Sequence, residues 1–301
     1  MERSTITSSK SQDTQETFKG VGDVAIFARS WHPTNGPRAV VVIAHGFNSH
    51  SGQYAWVAEQ LVARGFAVYA MDHRGRGQSG GERFHVAHFS DYVDDLATFI
   101  RLVKSREPNL PVFLLGHSAG GVISALYALD HQPELAGLIS ESFAFELPAP
   151  GFALAAVKGL SRLAPHLHVL KLKNADFSRE PSIVAAMNRD PLIAGESETA
   201  QATAELIRAD AHLRTQFPLI TLPLLILHGA ADKAAKASGS QFFYASAGAK
   251  DKTLKLYDGA SHDLLNDTVR EAVMTDIRNW LEDQLSTWRE LNSVSAASAL
   301  S

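Results

Sequence analysis

The chain has 301 residues, of which 45% are hydrophobic and 20% charged, and a formal net charge of −4. That composition suits one soluble catalytic core carrying an insertion and is too polar for an integral membrane protein. Binding a phosphate backbone needs a concentrated excess of Lys and Arg, which no segment shows, so a nucleic-acid partner is excluded. The absence of cysteine removes disulfides, thiolate nucleophiles and Cys-bound metals.

Residues 1–17 are rich in Ser, Thr, Gln and charge and lack the apolar stretch of a secretory signal, so they are expected to form a disordered leader. No apolar run reaches the ~20 residues that span a bilayer, and the expectation is a soluble, cytoplasmic protein. Residues 24–31 alternate apolar and polar, as an antiparallel edge strand does, whereas 39–44 form a continuous β-branched run suited to burial on both faces. A helix over 54–64, a strand over 67–71, a helix over 91–105, a strand over 112–115, a helix over 119–131 and a strand over 137–140 follow. Strands alternating with helices predict an α/β fold: a mostly parallel central sheet, right-handed crossovers and helices on both faces.

The rhythm breaks between residues 145 and 217. No strand-like run occurs there, but Leu154, Val157 and Leu160 keep helical spacing among Pro148, Pro150, Pro165, Pro181 and Pro191. This stretch is expected to be a helical cap inserted between two strands. The sheet resumes at 222–227, continues through a helix over 240–247 and a strand over 253–257, and closes with an amphipathic helix over 267–285. The expected organisation is therefore a core of residues 18–144 and 218–291, a cap of residues 145–217 and a disordered tail of residues 292–301.

Gly116-His117-Ser118-Ala119-Gly120 fits G-x-S-x-G directly after a buried strand and directly before a helical run. A sharp turn there holds the serine in strained geometry, and glycines two residues before and after it remove Cβ atoms that would clash. Serine is a weak nucleophile, so it needs a base within hydrogen-bond reach and an acid to fix the base's tautomer. Both follow in the order acid then histidine: Asp232 after the strand 222–227, and His262 after the strand 253–257. Loops at one edge of a doubly wound sheet converge, which places the three together. Among thirteen histidines only His262 has this order and position. Asp258 lies too close to its strand end, and the closing helix is expected to carry Asp263 elsewhere, so Asp232 is preferred as the acid. The amides of Ala119 and Phe47 are the expected oxyanion donors, with His45 packed beneath the Phe47 loop.

Two other patterns carry less. Gly75-Arg76-Gly77-Gln78-Ser79-Gly80 fits G-x-G-x-x-G, but Gly81-Glu82-Arg83-Phe84-His85 does not continue as an apolar helix, so a pyrophosphate has no helix dipole to sit on. His85 with His88, and His166 with His168, have metal-like spacing but no third ligand nearby in sequence, and solvated side chains are expected.

With these residues placed, residues 24–285 resemble the monoacylglycerol lipase and lysophospholipase-like branch of the α/β-hydrolase superfamily. The resemblance rests on His45-Gly46, His50-Ser51-Gly52 with Tyr54, Asp72-His73-Arg74-Gly75 through Gly77-Gln78-Ser79, Gly116 to Gly121, Asp251 to Tyr257, and His262-Asp263-Leu264-Leu265. It implies a carboxylic ester hydrolase without cofactor or metal, a helical cap over the site, and a small amphiphilic ester as substrate. The family usually has Glu and Arg where this chain has Ser49 and Gln53, and small residues where it has Glu141; the run Ala234 to Ala237 also lacks the family's proline and β-branched residues. The cap's apolar residues Phe152, Leu154, Val157 and Leu160 suit either an acyl pocket or peripheral contact with a lipid surface. Other Ser-triad hydrolases (a thioesterase, an aminopeptidase, a hydrolase of aromatic monoesters) share the motifs; a silent relative that only binds a ligand or partner shares the scaffold but usually loses a triad member, and here all three are present. Dehalogenases and epoxide hydrolases of this fold use Asp as nucleophile, and Ser118 argues against them.

Overall fold

A computed structural model describes residues 12–146 and 149–298. Its strands are β1 (Gln12–Lys19), β2 (Ala25–His32), β3 (Ala39–Ala44), β4 (Phe66–Met71), β5 (Val112–His117), β6 (Gly137–Glu141), β7 (His168–Leu170), β8 (Glu198–Thr199), β9 (Leu224–Gly229) and β10 (Lys252–Tyr257). The α-helices are α1 (Ala55–Val62), α2 (Phe89–Arg106), α3 (Ala119–His131), α4 (Gly151–Leu163), α5 (Pro181–Arg189), α6 (Ala200–Gln216), α7 (Ala237–Ser246) and α8 (Arg270–Ser298). One eight-stranded sheet runs β1-β2-β4-β3-β5-β6-β9-β10. Pairings that involve β1 or β2 are antiparallel, and the rest of this sheet is parallel.

The two-residue period of a strand explains the two cores. Val40 and Val42 of β3, with Val112 and Leu114 of β5, pack with Leu96, Ile100, Val122 and Ile123 of α2 and α3. Their neighbours Val41, Ile43, Phe113 and Leu115 face the other way, onto Val57 and Leu61 of α1 and Val273, Ile277 and Leu281 of α8. A strand buried on both faces reads as a continuous apolar run, as 39–44 does.

Three expectations at the chain's edges need correction. Residues 12–17 of the expected leader belong to β1, which pairs along its whole length with β2; residues 1–11 lie outside the described residues. An edge strand is held by backbone hydrogen bonds and needs few apolar side chains, so polar composition hid it; Phe18 supplies the anchor, stacked on Phe99 at 5.4 Å between centroids. Consequently β2 is an inner strand. The expected disordered tail is helical as far as Ser298, because α8 continues past residue 291, and residues 299–301 lie outside the described residues.

Between β6 and β9 the chain forms α4, α5 and α6, and β7 pairs with β8 in a small antiparallel ribbon where no strand was expected. Pairs of two or three residues are too short to show a period. Helix α6 packs against α4 and also against α3 of the core, which fixes this insert over the C-terminal edge of the sheet. Among the described residues, no helix is long and apolar enough to cross a membrane.

Candidate active site

Ser118 stands between β5 and α3 with φ 55° and ψ −120°, a conformation costing about 1–3 kcal/mol for a residue with a side chain. Its surroundings hold it there: the Ser118 N–H donates to the Glu141 carbonyl (2.9 Å), and its own carbonyl accepts from Gly121 N–H (2.9 Å). A Cβ on Gly120 would lie 2.0 Å from the Ala44 carbonyl oxygen, and one on Gly116 2.6 Å from that of Gly120. The two glycines of the motif therefore let the end of β3 and the start of α3 close around the turn.

The Ser118 hydroxyl is 2.8 Å from His262 Nε2, and His262 Nδ1 is 2.7 Å from Asp232 Oδ2. Asp232 leaves the end of β9, and its other oxygen accepts from the backbone N–H groups of Ala234 (2.7 Å) and Ala235 (3.0 Å). His228 Nε2 lies 3.0 Å from Oδ2, while its Nδ1 faces Ser240 Oγ at 2.7 Å. Burial alone pushes the Asp232 carboxyl upward, but the His262 imidazole and hydrogen bonds from His228, His262 and Ala235 outweigh it and hold the group well below the usual carboxylate range. Asp232 is thus ionised and surrounded by donors. Sequence reasoning passed over His228, although a histidine four residues before the acid was a readable signal.

Phe47 and Ala119 flank the serine. A Cβ on Gly46 would come within 2.7 Å of Ser118 Cβ, so the Phe47 loop packs directly on Ser118. Neither the Phe47 nor the Ala119 amide donates to another described residue, whereas the next amide, Asn48 N–H, donates to Glu196 Oε1 at 2.6 Å. His45 does pack beneath: its Nε2 accepts from His73 N–H at 3.0 Å, and burial lowers its pKa to about 4, keeping the ring neutral.

The insert reaches the site from above. Phe177 sits edge-on to the His262 ring at 4.9 Å, and its carbonyl accepts from Asp263 N–H (2.8 Å). Arg179 binds Asp267, which also accepts from Ser261 N–H at 3.2 Å, next to the histidine. Burial raises the Asp267 pKa, but Arg179, Thr268 and two backbone donors bring it down to about 2. Arg76, fully buried, binds Glu196 and Glu198 (2.5 Å to the latter), its guanidinium 4.0 Å above the Phe47 ring. These residues are about 120 positions apart, and no local pattern announced the pairing.

Glu141 is wholly buried at the end of β6. One oxygen accepts from Leu264 N–H at 2.7 Å, two residues past His262, and the other lies 3.5 Å from His117 Nε2. Burial, then the neighbouring Asp263, pushes its carboxyl well above the usual range. Asp263 turns away from His262 Nδ1 to accept from Asn266 Nδ2 at 2.9 Å.

The glycine-rich decoy is a closed turn: Gly75 N–H donates to Gly80 O (2.7 Å), Gln78 N–H donates to Asp72 Oδ2 (2.7 Å), and no helix begins until α2. The histidine pairs regroup. His85 stacks on His166 at 4.6 Å, with Glu82 2.8 Å from His166 Nδ1, so a third possible ligand does lie in reach across the fold, where sequence distance hid it. His85 and His166 already engage Thr199 and Glu82 respectively.

Two cavities open beside the site. One of about 320 Å³ is lined by Ala153, Leu154 and Val157 of α4, by Leu170 and Leu172, by Lys171, Lys173 and Lys233, and by Ala234 next to Asp232. A second of about 640 Å³ lies against Asn48, Leu172, Asn174, Met187 and Glu196. Ser118 lines neither and is 4% exposed.

The family model described as serine aminopeptidase, S33, matches residues 35–269. A monoacylglycerol lipase of Mycolicibacterium smegmatis is 34% identical over 273 residues, covering 90% of this chain and 98% of that one. The Homo sapiens monoglyceride lipase is 34% identical over 267 residues, covering 87% and 88%. The crystal structure of a Paleococcus ferrophilus monoacylglycerol lipase superposes with a TM-score of 0.78 at 28% identity, covering 86% of this chain and 99% of that one.

Proposed function

We propose, for a chain that belongs to the serine aminopeptidase (S33) family of α/β-hydrolases and is a serine hydrolase, that it cleaves carboxylic esters of the monoacylglycerol kind through Ser118, His262 and Asp232. The observation that carries the reading is the unbroken hydrogen-bonded chain from Ser118 Oγ through His262 to Asp232, at 2.8 and 2.7 Å. Ser118 Oγ attacks the ester carbonyl carbon while His262 Nε2 takes its proton. Ionised Asp232 keeps the other proton on Nδ1 and stabilises the imidazolium. The tetrahedral oxyanion accepts from the Phe47 and Ala119 amides, worth about 3–4 kcal/mol each. Collapse expels the alcohol, which leaves with the proton from His262; water, deprotonated by the same nitrogen, then frees the acid from the acyl-enzyme.

The substrate class rests on the relatives' names and on the cavity along α4, whose wall of Ala153, Leu154 and Val157 suits an acyl chain. Residues 145–217 act in this reading as a cap. On its outer side Phe152 is 80% exposed and Leu163 87%, near Lys158 and Arg162, and residues 149–175 contain no acidic side chain. That combination suits peripheral contact with a lipid surface, from which the ester is drawn. The test is a panel of glycerol monoesters of rising acyl length, p-nitrophenyl esters, acyl thioesters and aminoacyl amides. Monoacylglycerols are expected to give the highest kcat/KM, and Ser118→Ala to abolish turnover. Preferential cleavage of the amides or thioesters would overturn the substrate class while leaving the nucleophile standing.

A further inference from the structure

The loop that offers the Phe47 amide is gripped by the insert. Asn48, in the left-handed region at φ 52°, donates its backbone N–H to Glu196 Oε1 at 2.6 Å, and its side chain donates to Asn174 Oδ1 at 2.9 Å. Arg76 closes the other side: it shares the same Glu196 oxygen, binds Glu198, and lays its guanidinium over the Phe47 ring at 4.0 Å. All four side chains are buried, with Arg76 1%, Glu198 1%, Glu196 3% and Phe47 5% exposed. A buried backbone N–H left without an acceptor would cost about 1–3 kcal/mol. The cheapest relief is rotation of the peptide that joins Phe47 to Asn48, and that rotation shifts Phe47, the residue assigned above as an oxyanion donor. The bonds of Glu196 therefore do more than tie the insert down: they select one orientation of the oxyanion loop.

We infer that Glu196 is a positioning residue, through which the seated insert sets the Phe47 amide in the geometry that the tetrahedral intermediate needs. The inference rests on the assignment of Ser118 and Phe47 above. Its consequence is that the insert, when docked, completes the oxyanion hole, and the site is competent only with Glu196 in place.

The experiment compares Glu196→Ala, Glu196→Gln and Glu198→Gln with the full-length wild type, measuring kcat and KM on a monoacylglycerol, inhibition by an alkyl trifluoromethyl ketone, and the thermal midpoint. A trifluoromethyl ketone forms a tetrahedral adduct whose oxyanion occupies the hole, so its affinity reports that geometry and not general packing. Misplacing one of two donors predicts a fall in kcat of about tenfold to a hundredfold, below the ~10²–10³ for outright loss of a donor. Glu196→Ala is expected to lose kcat and ketone affinity together by that factor, with KM changing less than threefold. Glu196→Gln, whose amide oxygen still accepts from Asn48 N–H, is expected to recover most of both losses. Glu198→Gln weakens the hold on Arg76 without touching Asn48, so it is expected to move the thermal midpoint but not the ketone affinity. The inference is overturned if Glu196→Ala keeps wild-type kcat and ketone affinity, or if Glu198→Gln loses both equally. Should Glu196→Ala fail to fold, Glu196→Asp takes its place, since it keeps the charge but draws the accepting oxygen back by one methylene: a ketone affinity below that of Glu196→Gln supports the inference, and a wild-type affinity overturns it. Failure of the wild type to hydrolyse esters or bind the ketone would instead strike the assignment of Ser118.

Discussion

Replacing Asp232 with Asn isolates the role proposed for this carboxylate, because the two side chains share a shape and differ in where they accept and donate. Four groups converge on the carboxylate: Ala234 and Ala235 N–H donate to Oδ1 at 2.7 and 3.0 Å, His262 Nδ1 bonds Oδ2 at 2.7 Å, and His228 Nε2 lies 3.0 Å from Oδ2. An amide must turn its NH₂ toward one of these pairs. Facing the two backbone donors, it loses two buried hydrogen bonds, about 2–6 kcal/mol in all, and the backbone cannot change its protonation. Facing the histidines, it asks only that their protons move to their other nitrogens, so this orientation wins. His262 then carries its proton on Nε2 and points a donor, not an acceptor, at Ser118 Oγ. The base is disabled with the fold intact, and kcat is expected to fall by about 10⁴. The assay is steady-state hydrolysis of a p-nitrophenyl ester, with circular dichroism and a thermal melt to verify folding. A folded Asp232→Asn enzyme within tenfold of wild-type kcat would refute the tautomer argument and return Asp263 to contention.

Other predictions follow from packing and charge. Phe217 is fully buried among Phe143, Phe145, Phe242 and Phe243, the last at 4.5 Å between centroids, so Phe217→Ala is expected to lose about 3–5 kcal/mol in urea unfolding. Asp267 has a folded pKa of about 2, below its unfolded value of 3.8, so it contributes stability that is present above pH 4 and lost as pH falls through 2. Discounted for the exposure of Arg179, that contribution is about 1–2 kcal/mol, and the gap in thermal midpoint between wild type and Asp267→Asn should close across pH 4 to 2. Replacing exposed Phe152 and Leu163 with Asp should abolish flotation with anionic liposomes while leaving hydrolysis of a dissolved short-chain ester within about threefold; flotation unaffected by the double change would remove α4 from lipid contact.

The sequence carried most of the sheet because its central strands are buried on both faces. Runs such as 39–44 and 112–115 have no other reading once Gly116-His117-Ser118-Ala119-Gly120 follows the second. The convergence of Asp232 and His262 on Ser118 was legible for the same reason: each lies in a loop that follows a strand of the parallel series, and parallel strands deliver their C-terminal loops to one edge. What escaped was held by partners that sequence cannot see. β1 is polar because it needs only the backbone of β2, and β7 and β8 are too short to show a period. Arg76 finds Glu196 and Glu198 only after the insert folds back, and the same return brings His85 onto His166. Glu141 stood out as a misfit against its family and is a buried acceptor for Leu264 N–H, tying the His262 loop to β6.

Every step proposed for the reaction depends on Ser118 as an activated nucleophile. A fluorophosphonate probe, followed by intact mass and peptide mapping, tests this directly. The expected result is one adduct per chain, on the peptide containing Ser118, absent from Ser118→Ala and strongly slowed in His262→Ala. A folded wild-type protein that takes no probe, or takes it on another serine, would contradict it.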